Sequence, residues 1–354
     1  MISPAQVLNA WKWNRLKVGI FLCVMTFTSV VPSEPLYAQN FASGRSFWNP
    51  PSSTSSCRTS YQNIGNFELS KSLVRRPYPN DYGRNFTANY GMWLIDTIAG
   101  RKVSAHKQRI LSIAGGQYFT KAVHSGGWSP IYIQSTTIKL TAMYIRVMEA
   151  RGLLTQSERN ILLSWGDKMI PGQKGTKGNG SSDSRLASGI AMIAWGNVKG
   201  DTRLMKAGYR KFMSGYPYVL SSVGKLKRHP GHRGIPISAL SLEDEYNVAL
   251  MHAVEGAAML RNLGIDVASV QKGGTNLHEA VSWWAGVVAS KPPGFKGYKA
   301  WNHNFNQGWI PIYLSAFPNQ PHAAKLNKIS RDVTRGRTPS FRAISLGGAT
   351  KCLW

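Results

Sequence analysis

The chain has 354 residues, 43 Lys and Arg against 16 Asp and Glu, a formal net charge of +27, and 43% hydrophobic residues. The length and apolar content support a large buried core, and the spread of the basic residues excludes a globular domain with one polybasic tail. A surface of this kind concentrates an anionic partner: a nucleic acid, an anionic envelope surface or an acidic polysaccharide.

At the N-terminus, Lys12, Arg15 and Lys17 precede an uncharged apolar run from Val18 to Val31, and Leu36-Tyr37-Ala38 precedes Gln39. This pattern predicts a secretory signal peptide over 1–38, cleaved after Ala38. A membrane anchor is the alternative, but the run is about fourteen residues, short of the roughly 20 that a spanning helix needs. No second run of spanning length follows, so no stable membrane insertion is expected. The predicted location is periplasmic or secreted. Export weakens the nucleic-acid reading, as does the lack of zinc-finger spacing or a recognition module. Cys23 falls in the signal, leaving Cys57 and Cys352 near the two mature ends. They form a disulfide, permitted after export, or stand as separate thiols; they cannot form a Cys-rich zinc site.

Residues 39–60, rich in Ser, Asn and Pro, read as an extended arm, and 61–354 as one domain. Helical patterns then dominate. They cover Tyr90 to Ile98, Thr136 to Ala150, Ile161 to Met169, Ala187 to Trp195, Asp201 to Phe212, Glu243 to Leu263, Leu277 to Val288 and Ile310 to Phe317. Gly152 stops the second, Thr155 with Glu158 makes a capping box, and Gly264 is placed as a C-cap. No series of alternating β-branched runs suggests a sheet. The repeated unit, a helix and then a polar Gly/Pro/Ser loop, predicts an all-α fold of stacked helical hairpins: an α/α toroid, either a closed barrel or an open arc.

The middle of the chain, about Thr136 to Asn319, resembles the alginate lyase family of helical-toroid polysaccharide lyases. The resemblance lies in the order and spacing of short segments. These are the Thr136 to Val147 helix, Trp165, Asp201-Thr202-Arg203-Leu204, Gly224-Lys225-Leu226, Glu245-Tyr246-Asn247-Val248-Ala249-Leu250, Asn262-Leu263-Gly264-Ile265-Asp266 and Trp309-Ile310-Pro311-Ile312-Tyr313. The family's Asn-His segment corresponds to Asn179 through Arg185, which has an asparagine and no histidine. Its Tyr-His pair corresponds to Glu245-Tyr246, and no basic residue stands in Ser238 to Glu245. The resemblance implies the toroid and β-elimination on a uronic-acid polymer, alginate or a glucuronate polymer.

That chemistry needs a cation or amide to neutralise the C6 carboxylate, a base for the C5 proton and an acid for the departing O4. It needs no cofactor and no metal. Tyr246 is the first candidate base or acid. The densest basic segment, Lys225 to Arg233, reads as a loop and supplies His229, His232 and Arg233 as catalytic candidates, with directed contacts to planar carboxylates. Asn179 and Arg185, from a second basic loop, and Asn247 and His252, on the Tyr246 helix, are candidate carboxylate or groove contacts. His252 and Glu255 are three apart on one helix face. Two similar segments, Gly127-Trp128 to Tyr132 and Gly308-Trp309 to Tyr313, suggest aromatic platforms for sugars, with Trp301 and His303 beside the second. The tandem Trp283-Trp284 reads as core. The competing readings are a glycoside hydrolase, with Asp183, Glu243, Asp244 and Glu245 as its acid/base candidates, and a non-catalytic binder of acidic polysaccharide. The protein is expected to act as a monomer.

Overall fold

The structure, a computed structural model, describes residues 41, 44–51, 68–73, 82–122, 130–174, 182–228, 239–290, 308–334, 342–343, 348–349 and 352–354. The chain divides into two units between Ala38 and Gln39, the first lying outside the described residues. The predicted signal peptide therefore lies outside them too, as does Cys57.

Ten helices account for most of the described residues. They are α1 (Tyr82–Ile98), α2 (Val103–Gly115), α3 (Pro130–Ala150), α4 (Gln156–Lys174), α5 (Ser182–Lys199), α6 (Thr202–Arg228), α7 (Ala239–Asn262), α8 (Leu277–Ser290), α9 (Trp309–Ala316) and α10 (Ala323–Thr334). Two short strand pairs complete the set: β1 (Ser72–Leu73) is parallel to β2 (Lys121–Ala122), and β3 (Arg342–Ala343) is antiparallel to β4 (Gly348–Ala349).

The helices alternate between two layers. The odd-numbered helices α1, α3, α5, α7 and α9 pack in succession as an inner series. Each even-numbered helix packs outside its predecessor, with α2 on α4, α6 on α8 and α8 on α10. Neighbouring inner helices run parallel: Tyr90 of α1 bonds Thr141 of α3, while Arg151, just past α3, reaches the carbonyls of Thr97 and Ile98 at the end of α1. Hairpin partners run antiparallel, since Ser135 of α3 bonds Gln173 of α4 and Glu149 of α3 pairs with Arg159 of α4.

Burial explains the layering. In α3, nearly every residue from Gln134 to Met148 is buried, as expected of a helix enclosed by neighbours. Outer helices bury narrower stripes: α2 buries His106, Ile110, Ile113 and Ala114. Phe86, Tyr90, Trp93, Phe119 and Trp165 form one aromatic cluster in the core. Between α5 and α6 the backbones touch. A Cβ on Gly189 would lie 2.6 Å from the Phe212 nitrogen, and one on Gly208 would lie 2.7 Å from the Gly189 carbonyl oxygen.

One rim of the layered body is closed by short turns. Gly152, at φ +64°, ends α3 in a conformation that a Cβ would strain. Its N–H bonds the Glu149 carbonyl while the Leu153 N–H bonds that of Met148, which satisfies the last turn. The same bond pair recurs after α1, α5 and α7 at Gly100, Gly200 and Gly264. Three outer helices, α4, α6 and α8, then begin with side-chain caps at that rim, whereas α2 begins at Lys102 without one. Thr155 and Glu158 form the expected reciprocal box at α4, Asn276 and Glu279 form a second at α8, and Asp201 accepts from the Leu204 N–H at α6.

Within 39–60 the described residues carry no helix or strand, and this segment packs on the body: Phe47 and Trp48 are buried, the Phe47 carbonyl accepts from Asn262, and the Trp48 indole donates to the Leu353 carbonyl at 2.6 Å. Several expectations are corrected. The basic loop begins later than expected, because α6 continues to Arg228, so Lys225, Lys227 and Arg228 lie on its last turns. Asp183 and Arg185 belong to α5, not to a loop. Helix α3 starts six residues before Thr136, and α2 and α10 are additional helices.

Candidate active site

The rim opposite the capped turns is where the inner helices begin. The segments that immediately precede α3, α5, α7 and α9 in the chain contain Trp128, Asn179, His229, His232, Arg233, Trp301 and His303. All seven lie outside the described residues. Tyr246 and Asn247, with Glu243, Asp244 and Glu245, lie on the first half of α7. Asp183 is on the first turn of α5. For these six residues the helix backbone is described and the side chains are not.

Below that level, charged side chains meet in the interior. Helix α5 packs between α3 and α7, yet Lys139 of α3 reaches Glu255 of α7, with Nζ 2.5 Å from Oε1. The two side chains are 3% and 1% exposed, so the pair is wholly withdrawn from water. The second carboxylate oxygen of Glu255 lies 3.8 Å from Nδ1 of His252, one turn earlier on α7. The His252 ring packs against Tyr132, with centroids 5.1 Å apart and the planes tilted by 49°. Tyr132 is the third residue of α3, so this stack stands at the entrance of that helix. Tyr246 lies six residues before His252, about 9 Å further along α7 toward the loop rim.

The entrance of α3 is fixed from the other side by amides. Gln134 donates to the carbonyls of Phe119 and Thr120, and Ser135 donates to Gln173 at 2.7 Å. Phe119 adopts a φ of 62°, uncommon for a bulky residue; its N–H bonds the Ser70 carbonyl, and its ring stacks on Phe86. Lys211 of α6 donates to the carbonyls of Gln173 and Lys174 at the end of α4. A cation is favoured at a helix C-terminus, and burial lowers the Lys211 pKa.

Other predicted residues fall elsewhere. Arg185 is half-buried, and its guanidinium is 3.4 Å from the Ser214 carbonyl of α6. Trp309 and Tyr313 are 1% and 0% exposed, so neither presents a ring face to a sugar. The expected second platform is instead core. Tyr132 is also buried, at 6%. Trp284 is core, as expected, and Trp283 packs against it. The Tyr313 hydroxyl lies between His278 Nδ1 at 2.7 Å and His322 Nε2 at 2.8 Å, joining α8, α9 and the start of α10 near the capped rim. Burial lowers the pKa of both histidines and raises that of Tyr313.

Lys139 was not legible as a site residue from sequence. It stands between Ile138 and Leu140 in an apolar helix, and its partner is 116 positions away. The one available signal was a lone lysine within the apolar stretch of α3. Among the described residues no group of three or more His, Cys, Asp or Glu could hold a metal ion, and no helix is long and apolar enough to cross a membrane.

No family model and no curated protein matches the chain. Solved structures do. The chain is similar to alginate lyase A1-III in a Tyr→Phe variant complexed with a tetrasaccharide, with a TM-score of 0.57 and 15% identity over 86% of this chain and 87% of that one. A His→Ala variant with tetrasaccharide gives 0.57 and 15% over 87% of each chain. The same variant without ligand gives 0.56 and 14% over 90% and 88%. The double layer of helical hairpins is therefore an α/α toroid of the alginate lyase type, as the sequence resemblance implied.

Proposed function

We propose that this protein is a polysaccharide lyase that cleaves a uronate-containing acidic polysaccharide by β-elimination. The observation that carries the reading is the shared toroid, which spans most of both chains, together with the position of Glu245 to Leu250 on an inner helix of it. The charge of +27 supports an anionic polymer as substrate. The related lyase is a protein whose variants are seen with a tetrasaccharide.

In this reading a uronate carboxylate is neutralised by Arg233 with His229 or His232 from the segment before α7, with Asn179 or Asn247 as an amide contact. Neutralisation stabilises the dianion that forms as the C5 proton leaves. Tyr246, deprotonated beside those cations, takes the proton. The electron pair forms the C4–C5 double bond, the C4–O4 bond breaks, and O4 leaves with a proton from a neighbouring acid. No water is added. Export is part of the proposal and rests on the basic, apolar and small-residue pattern of 1–38. So is a Cys57–Cys352 disulfide, supported by the bond from Trp48 to Leu353, which brings the two ends together.

The test is a panel of purified polyuronates followed at 235 nm, with product masses. Cleavage should create absorbance and leave product masses summing to that of the substrate. Tyr246→Phe should abolish turnover and retain tetrasaccharide binding. Products heavier by one water, without absorbance, identify a hydrolase. Salt-sensitive binding without cleavage identifies a binding protein.

A further inference from the structure

The interior pair of Lys139 and Glu255 is a poor stabilising device. Burying both charges costs several kcal/mol per ion, and replacing such a pair with apolar side chains of similar volume is often neutral or stabilising. An apolar barrel interior would hold α3 and α7 as well. The pair does one thing an apolar contact could not: it places a fixed carboxylate oxygen 3.8 Å from His252 Nδ1. The imidazole is 1% exposed, and neither ring nitrogen has a hydrogen-bond partner within contact distance. Leaving a buried polar atom unpaired costs about 1–3 kcal/mol, and a native fold carries such a cost where the atom has another use.

We propose that Lys139 and Glu255 are positioning residues for His252. They hold its imidazole in the Nδ1–H tautomer and reserve the Nε2 lone pair for a hydroxyl of the bound polysaccharide. Lys139 occupies one oxygen of Glu255, and the other oxygen faces Nδ1 and attracts its proton. At 3.8 Å the carboxylate acts on the ring as a nearby charge rather than through a hydrogen bond, and it favours the proton on Nδ1, so Nε2 is left as an acceptor. The ring of Tyr132 packs against the imidazole, so binding of the polysaccharide requires that ring to turn aside. His252 then lies six residues along α7 from Tyr246, further from the loop rim. This deepens the lyase reading and rests on it.

The test uses the full chain and the double variant Lys139→Met/Glu255→Leu, with His252→Gln beside it. On the best polyuronate substrate, the double variant should keep or raise its Tm while kcat falls at least tenfold. His252→Gln should lose a similar factor. The 15N spectrum of wild-type His252 should show a protonated Nδ1 and an unprotonated Nε2, and the double variant should show a tautomer mixture. A folded double variant with kcat within twofold of wild type overturns the proposal, as does a wild-type spectrum with the proton on Nε2. Should the double variant not fold, His252→Gln and the wild-type spectrum decide it. Absence of any 235 nm product from wild type defeats the lyase reading, and with it the substrate role of His252. The spectrum still decides whether the pair sets the tautomer.

Discussion

Replacing Gly189 with alanine should destabilise the protein, against the ordinary preference of helices for alanine. In an open helix interior the change gains about 1 kcal/mol. Here the new Cβ would lie 2.6 Å from the Phe212 nitrogen and 2.8 Å from both the Gly208 carbonyl oxygen and the Phe212 Cα. These are backbone atoms of α6, which cannot rotate away. Ordinary contact is about 3.5 Å, so α5 and α6 must part by roughly 0.7–0.9 Å. Overpacking of this kind costs about 1–3 kcal/mol, and separating the seam forfeits a quarter to a half of the dispersion energy of its contacts. The net loss is about 2 kcal/mol, a fall in Tm of roughly 4 °C for a chain of this size. Calorimetry reads it directly. Gly115→Ala is the control, because a Cβ there meets nothing within 4 Å; its Tm should stay level or rise slightly. A Gly189→Ala protein that melts at or above the wild-type temperature would refute the steric argument. Since α5 separates α3 from α7, the same variant should also lose activity before it loses its fold.

Thr155→Ala removes one half of a reciprocal cap and should cost about 1 kcal/mol in chemical denaturation, with no effect on tetrasaccharide binding, since Thr155 stands at the capped rim. Acid should destabilise the protein through His278 and His322. Burial depresses both folded pKa values below the usual 6.5, so the unfolded chain takes up protons first and stability is lost as pH falls below about 6.5. Denaturant midpoints from pH 7.5 to 5 should show the decline, and replacing both histidines with glutamine should lessen it, His106, also depressed by burial, sustaining the remainder. Trp48→Phe removes the indole bond to Leu353 and leaves that carbonyl without its partner; a loss of about 1–3 kcal/mol is expected in urea unfolding.

The fold was legible where local chemistry decides structure. Thr155 with Glu158, Gly152 and Gly264 could each be read because a cap is formed by residues within a few positions of one another. The inner helices were visible as apolar segments, although α3 was begun too late, since its second turn includes the polar residues Gln134 and Ser135, which are satisfied by distant partners. Helices α2 and α10 escaped because an outer helix needs only a narrow apolar stripe. In α10 that stripe includes Leu326 and Ile329. Helix α6 extends well past the expected end at Phe212 and runs through both Pro217 and Gly224 to Arg228.

The site was legible only in part. Tyr246 is a candidate through the family resemblance, and the structure describes only its helix backbone. The Lys139–Glu255 pair could not be read from the sequence, because nothing near Lys139 announces a carboxylate over a hundred positions away. Trp309 and Tyr313 misled for the opposite reason: an aromatic pair spaced along a helix serves a core as readily as a sugar, and burial alone separates the two.

The turns at 99–102, 151–155 and 200–201 have consequences for anyone altering this molecule. Each is consumed by the bonds that finish one helix and start the next, so there is no slack in which to insert, delete or cut. On the lyase reading, libraries aimed at a new polymer should draw their changes from the segments leading into α3, α5, α7 and α9. Randomising the glycine turns would spoil folding yields without touching selectivity.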